Sequence, residues 1–265
     1  MLNRLMRIAR RTNSLAPSPD PEIESVPAPP GRPRIIVDSL PKSGTHLLGK
    51  LVAELGFEDT SIAVLDNSYL DFKKKGNWHL WEPIRSANLG DQIVNPARIH
   101  CETRKALGLV GPGQFCISHL RCNELNQEYI KQNNFRHLFI IRDLRDNICS
   151  MTDHLVNLRA HDYSPDWYYY LSSLESDEDR LLAVIEGRDR FLRPFSYHLD
   201  YGAGWVDDPD TLIVRFEDLI GPSGGGDADT QVREVARISE FVGGTPTEPK
   251  VEEVAASLWG GGLGQ

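Results

Sequence analysis

The sequence has few cysteines, no paired-cysteine spacing and no long apolar stretch. Its four cysteines, Cys101, Cys116, Cys122 and Cys149, form no Cys-x-x-Cys pair and have no nearby His-x-x-x-His partner. That excludes a disulfide framework or a zinc ribbon and predicts reduced, mostly buried thiols. No uninterrupted apolar run approaches the ~18 residues that a membrane span needs. An excess of positive charge is missing too, since the formal net charge is −9 over 265 residues. A phosphate backbone would be repelled on average, which argues against a general nucleic-acid binder. A local positive pocket for a small anion remains compatible with that balance. The start, Met1 to Arg11, carries Arg4, Arg7, Arg10 and Arg11 but lacks the continuous apolar segment of a secretory signal. It reads as a frayed, solvated terminus, the alternative being a short basic helix touching a membrane. The default compartment is cytoplasmic.

What is present has the ordinary make-up of a folded protein, with 40% hydrophobic and 25% charged residues. Residues 1–33 form a basic, Pro-rich arm (Pro17, Pro19, Pro21, Pro27, Pro29, Pro30 and Pro33) expected to be disordered. An α/β domain is expected over 34–265. Four apolar runs read as core strands of a parallel sheet: Arg34–Ser39, Phe115–His119, His137–Arg142 and Thr211–Phe216. Between and after them lie helical patterns at Thr45–Gly56, Glu124–Asn133, Asp143–Asn157, Glu178–Leu199 and Thr230–Val242. The alternation predicts a three-layer α/β fold, a mostly parallel central sheet flanked by helices, with ligands at the carboxyl ends of the strands. Gly221–Gly226 reads as a flexible connector.

The most informative stretch is Pro41-Lys42-Ser43-Gly44-Thr45-His46, set behind the apolar Ile35-Ile36-Val37 and ahead of Leu47-Leu48. It reads as a strand, a tight loop and a helix start. A helix leaves its first backbone N–H groups unpaired, and its dipole is positive at that end. Lys42 adds a full charge, so the loop suits a phosphate-bearing ligand. Gly44–Lys50 also matches the first seven positions of a Walker A loop, but residue 51 is leucine where a Mg²⁺-binding hydroxyl is needed. In that register Lys50 falls inside the helix and reads as a solvated face residue.

Two further strand tips carry polar groups toward the same end of the sheet. His119 emerges from the apolar Phe115-Cys116-Ile117-Ser118. Arg142 closes Phe139-Ile140-Ile141 and precedes a helix bearing Ser150. The plainer readings are a surface turn for Lys42, a satisfied strand-end histidine for His119, and an ion pair with Asp143 or Asp146 for Arg142.

This combination resembles the sulfotransferases that use 3′-phosphoadenosine 5′-phosphosulfate (PAPS). Pro41-Lys42-Ser43-Gly44-Thr45 is similar to their 5′-phosphosulfate loop. Arg142 and Ser150, eight residues apart, are similar to their 3′-phosphate motif. Ser118-His119-Leu120 sits where that family keeps its catalytic histidine, and Arg215-Phe216-Glu217-Asp218-Leu219 resembles a segment near the adenine. The resemblance runs from about Arg34 to Leu258. It implies Lys42 and His119 as catalytic residues, stabilising the departing phosphate and accepting the acceptor's proton. It implies a donor site made of Lys42, Ser43, Gly44, Thr45, His46, Arg142, Ser150 and Phe216. It implies a hydroxyl or amine acceptor on a small molecule, glycan or lipid, and no metal, in keeping with the missing Walker hydroxyl.

The chain departs from the family's pattern at three places. His46 stands where a hydroxyl is usual, and Leu47 replaces an adenine-stacking tryptophan. Trp259–Gln265 lacks the Arg-Lys-Gly segment that clamps the 3′-phosphate, so the domain is expected to be shortened at its C-terminus. Two alternatives follow: a binding protein with the same fold but impaired catalysis, and a P-loop kinase built on Gly44–Lys50. Asp66–Trp81 and the aromatic cluster of His161–Tyr170 are candidates for the acceptor pocket, or ordinary packing under long loops.

Overall fold

A computed structural model of the chain describes residues 31–65, 69–72, 103–157, 165–188, 194–244 and 248–258. Its centre is a six-stranded sheet ordered β3-β2-β4-β1-β5-β6. The strands are β1 (Arg34–Ser39), β2 (Glu58–Leu65), β3 (Tyr69–Phe72), β4 (Gln114–His119), β5 (Phe135–Ile141) and β6 (Thr211–Arg215). All neighbours run parallel except the edge pair β2–β3, which is antiparallel. The expected mostly parallel α/β sheet is what the chain forms.

The helices of eight or more residues are α1 (Thr45–Glu54), α2 (Glu124–Gln132), α3 (Leu144–Asn157), α4 (Pro165–Ser172), α5 (Asp177–Glu186), α6 (Phe195–Gly202), α7 (Ala228–Phe241) and α8 (Glu248–Leu258), with shorter helical turns at 103–108 and Phe216–Leu219. Alternation along β1 explains how they layer. Ile35 and Val37 turn to one face, where Leu48 and Leu51 of α1, Val235 and Ile238 of α7, and Val251 and Val254 of α8 bury them. Ile36 turns to the other, against Cys116, Phe139, Tyr129, Ile130 and Trp205. Burial on both faces is why these strands read as continuous apolar runs. A smaller cluster, Met151, Leu155, Leu171 and Val184, joins α3, α4 and α5 beside the sheet.

Several expectations change. The long helix expected over Glu178–Leu199 is two: α5 stops at Gly187, whose φ of 72° favours glycine, and α6 starts after Pro194. β2 was not expected, because Glu58-Asp59-Thr60-Ser61 is polar and Ser61 (φ 55°) lies where the register with β4 shifts. Gly221–Gly226 is a closed turn rather than a loose connector. Gly226 N–H donates to the Gly221 carbonyl at 2.6 Å, and Gln231 Nε2 donates to Leu219 O at 2.7 Å. Of the three described cysteines, Cys116 is buried, Cys122 is partly so, and Cys149 is exposed. Among the described residues, no helix is long and apolar enough to cross a membrane.

Candidate active site

Strand register levels the three polar tips. Asp38 pairs with Ser118, which puts Ser39 beside His119; Ser39 in turn pairs with Ile140, two residues before Arg142. Because β1 has β4 on one side and β5 on the other, the loop after β1 lies where the chain order reverses. That is where open α/β sheets leave a crevice for ligands.

The loop itself is tightly determined. Lys42 (φ 68°) and Gly44 (φ 106°) both take left-handed backbone, which turns the chain sharply into α1. Gly44 caps the helix without a side-chain hydrogen bond, and the first turn of α1 carries no acidic residue. The positive end of the helix dipole is therefore not neutralised from within the helix. Asn147 of α3, fully buried, holds the loop from behind: its Nδ2 donates to Ser43 Oγ at 2.7 Å and to Pro41 O at 3.0 Å. Asn147 was not among the residues expected at the site. Its neighbours on that face of α3, by helical spacing, are Ser150 and His154.

Phe216 packs over Gly44 so closely that a Cβ there would lie 2.5 Å from its ring. The Arg142 guanidinium sits over that ring, 4.4 Å from the centroid. Arg142 has not been captured by Asp143, whose carboxylate is held by Arg145 at 2.7 Å and lies well below the usual carboxylate range. The N–H of Asp143 donates to Glu217 Oε1 at 2.7 Å, which locks the β5 tip to the turn after β6. Arg142 Nε and Asn147 Oδ1 are buried without a hydrogen-bond partner, as is Ser118 Oγ.

Lys42 and Arg142 feel one another. Burial lowers the Lys42 ammonium below its ordinary range; Asp153 pushes it back up and Arg142 pushes it further down. His154 is likewise lowered, first by burial and then by Lys42. The loop and the β5 tip thus form one cationic locus, with Asp153 the nearby acid.

His119 is joined to this locus through Ser39. Its Nδ1 lies 2.7 Å from the Ser39 carbonyl and 3.3 Å from Ser39 Oγ, and Ser39 Oγ also meets Thr45 Oγ1. A carbonyl can only accept, so Nδ1 carries the proton and Nε2 keeps a lone pair in the neutral ring. The residue is half-buried, with protein packed around its ring. That burial lowers its pKa, opposed by the Ser39 contact and by Asp38.

Other expected residues have clear positions. Thr45 is buried at the loop, His46 is exposed on the first turn of α1, and Leu47 packs into the core. Lys50 is not simply solvated. Its ammonium donates to the carbonyls of Ser257 and, at 3.3 Å, Leu258, capping the C-terminal end of α8. A Walker-type lysine role is therefore closed to it. In the aromatic cluster, Trp167, Tyr168 and Tyr170 pack on the α3–α4–α5 core, while Tyr169 is 66% exposed. Most of Asp66–Trp81, all of Trp259–Gln265, and Cys101 lie outside the described residues. Among the described residues, no group of three or more His, Cys, Asp and Glu side chains could hold a metal ion. A cleft of about 310 Å³ lined by Arg32, Phe57, Val242 and Lys250 opens at the opposite end of the sheet, away from Lys42.

No protein-family model matches the chain, and no curated protein matches it. Among solved structures it is similar to mouse sulfotransferase SULT7A1 complexed with PAP, at 17% identity and a TM-score of 0.49, covering 85% of this chain and 64% of that one. It is also similar to retinol dehydratase in a complex with retinol and PAP, at 16% identity and a TM-score of 0.48, covering 87% of this chain and 65% of the other. A third likeness is to retinol dehydratase with androsterone and inactive cofactor PAP, at 18% identity and a TM-score of 0.46, over 85% and 64%. The chain spans a little under two thirds of each of these proteins.

Proposed function

We propose that the chain transfers a sulfuryl group from PAPS to a hydroxyl or amine of a small-molecule, glycan or lipid acceptor. What supports the reading is a single juxtaposition. The Lys42 loop and Arg142 form one cationic locus, and Ser39 ties Thr45 of that loop to a histidine with a free Nε2 lone pair.

In the proposed reaction the acceptor's oxygen or nitrogen attacks sulfur, and the bond from sulfur to the bridging phosphate oxygen breaks. The electron pair leaves with that oxygen, producing 3′,5′-adenosine bisphosphate. His119 Nε2 takes the proton released by the acceptor. Lys42, with the backbone N–H groups from Gly44 to His46, faces the charge growing on the 5′-phosphate. Each such preorganised donor is worth about 3–4 kcal/mol in comparable sites. Arg142 and Ser150 would hold the 3′-phosphate, Arg142 by its planar fork. Phe216, already stacked under Arg142, would bound the nucleoside.

Calorimetric titration with 3′,5′-adenosine bisphosphate and with ATP·Mg²⁺, followed by [³⁵S]PAPS transfer to a panel of acceptors, tests this. Bisphosphate binding with label transfer is the expected result. Bisphosphate binding without transfer to any acceptor would leave a binding protein. Tight ATP·Mg²⁺ binding with none of the bisphosphate would replace the reading with a kinase.

A further inference from the structure

Asp38 is a carboxylate fully buried inside a parallel sheet, and nothing in the proposed chemistry touches it. An acid in that position is costly unless every lone pair is used. Its Oδ1 accepts from the N–H of Ser39 at 2.8 Å and from the N–H of Leu120 at 3.0 Å. Its Oδ2 lies 3.1 Å from Nε2 of His137, which is also fully buried. Beyond His137 the chain of contacts continues: Nδ1 to Thr211 Oγ1 at 2.8 Å, and Thr211 Oγ1 to Asp208 Oδ2 at 2.5 Å.

The protons on this chain can be assigned by counting. Thr211 has one hydroxyl proton, and it goes to Asp208. Its oxygen therefore accepts from His137 Nδ1–H. The contact between His137 Nε2 and Asp38 Oδ2 holds one further proton. Asp38 is thus fixed from β5 and β6 on one side while it grips the tips of β1 and β4 on the other.

The two residues it grips are the ones that decide where His119 points. Ser39 supplies the carbonyl that binds His119 Nδ1. Leu120 is the next residue in the chain after His119, and it is held a second time: Trp205 Nε1 donates to its carbonyl at 2.9 Å. Trp205 is itself fully buried, with its ring edge-on to His137, centroids 4.3 Å apart. Both peptide groups of Leu120, the residue after the histidine, are thereby pinned by buried side chains that never reach the reacting atoms.

We propose that Asp38 and Trp205 are positioning residues for His119, pinning Leu120 from both sides and fixing the Ser39 carbonyl so that the ring is held as its Nδ1–H tautomer with Nε2 turned to the acceptor. This rests on the sulfuryl-transfer reading for its catalytic consequence but not for its structural one, and the test separates the two. Long-range ¹⁵N–¹H correlation spectra of the full chain report the tautomer of each imidazole. Comparison with His119→Gln assigns the His119 signals among the eight histidines. The wild-type ring is expected as Nδ1–H. In Trp205→Phe, which keeps the packing but loses the donor, and in Asp38→Ala, the ring shifts toward Nε2–H or averages between tautomers. With [³⁵S]PAPS, kcat falls roughly ten-fold or more while KM for the donor stays within two-fold. Asp38→Asn, which keeps an acceptor facing the two N–H groups, recovers most of both losses.

A wild-type ring found as Nε2–H overturns the proposal without any variant. So does an unchanged tautomer in folded Trp205→Phe, even if stability drops, because that is the result of a merely structural role. If wild-type protein transfers no label, the sulfuryl-transfer reading fails while the spectra still decide the positioning.

Discussion

Asn147 Nδ2 donates to Ser43 Oγ across 2.7 Å, and this one contact joins the helix after β5 to the loop after β1. It means that the two segments are not independent but parts of one buried assembly. Lys42 belongs to the loop after β1, and Arg142 directly follows β5.

Removing that link should loosen the loop. Asn147→Ala leaves the Ser43 hydroxyl and the Pro41 carbonyl without their donor, at a cost of about 1–3 kcal/mol. Urea denaturation should show that loss, and the Kd for 3′,5′-adenosine bisphosphate should rise about ten-fold. Unchanged affinity would show that the loop holds its shape without Asn147.

His119 and Arg142 should separate in kinetics. His119→Ala should lower kcat by about 10²–10⁴-fold with little change in bisphosphate affinity. Arg142→Ala should act mainly on affinity, weakening bisphosphate binding by about ten-fold or more, since hydrogen bonds to charged groups contribute about 1.5–3 kcal/mol each. Equal effects of both variants on Kd and kcat would sink the division of roles.

The pH profile follows from burial of the His119 ring. Its pKa is lowered from 6.5, so the neutral base persists below the usual histidine range. The acid limb of kcat/KM should therefore have its midpoint below 6.5 and disappear from the residual activity of His119→Ala. The same shift bears on stability. Between the lowered folded value and about 6.5, the unfolded chain binds more protons than the folded one. Stability should thus fall as pH drops through that window, and His119→Gln should flatten the fall. A midpoint at or above the ordinary histidine value would contradict this.

Gly44 should tolerate no side chain. Gly44→Ala places a methyl 2.5 Å from the Phe216 ring and forces a φ of 106° on an L-residue. Left-handed backbone costs about 1–2 kcal/mol and overpacking about 1–3 kcal/mol. Melting curves should show both terms. Adding Phe216→Ala should recover the steric part only, so a double variant as stable as wild type would reject the backbone argument.

Lys50 should matter to the fold and not to the nucleotide. Lys50→Met removes a charged donor from the α8 carbonyls and should cost about 1.5 kcal/mol. Bisphosphate affinity should stay within two-fold. A loss of nucleotide binding instead would return Lys50 to a Walker-type role.

The order of strands and helices around the site was legible because it is local. An apolar run followed by Pro-Lys-Ser-Gly-Thr reads as a strand, a turn and a helix start wherever it occurs, and β1, β4, β5 and β6 announce themselves as near-continuous apolar runs. The misses share a cause. β2 begins polar and carries an irregular register, and the stretch from α5 to α6 keeps a helical pattern across Gly187 and Pro194. Lys50 looked solvated because its partners, the Ser257 and Leu258 carbonyls, are 207 and 208 residues away.

Neighbours along the chain are enough to set the kind of loop, the residue types at three strand tips and the sign of charge they present. Which nitrogen of His119 carries the proton, that Asp38 braces it, and that Asn147 rather than a nearer residue holds the loop were settled by the folded arrangement. Those outcomes depend on partners 80, 82 and 104 residues apart. A hydrogen bond is set by distance and angle in space, and strand register brings such groups together without leaving a trace in local sequence.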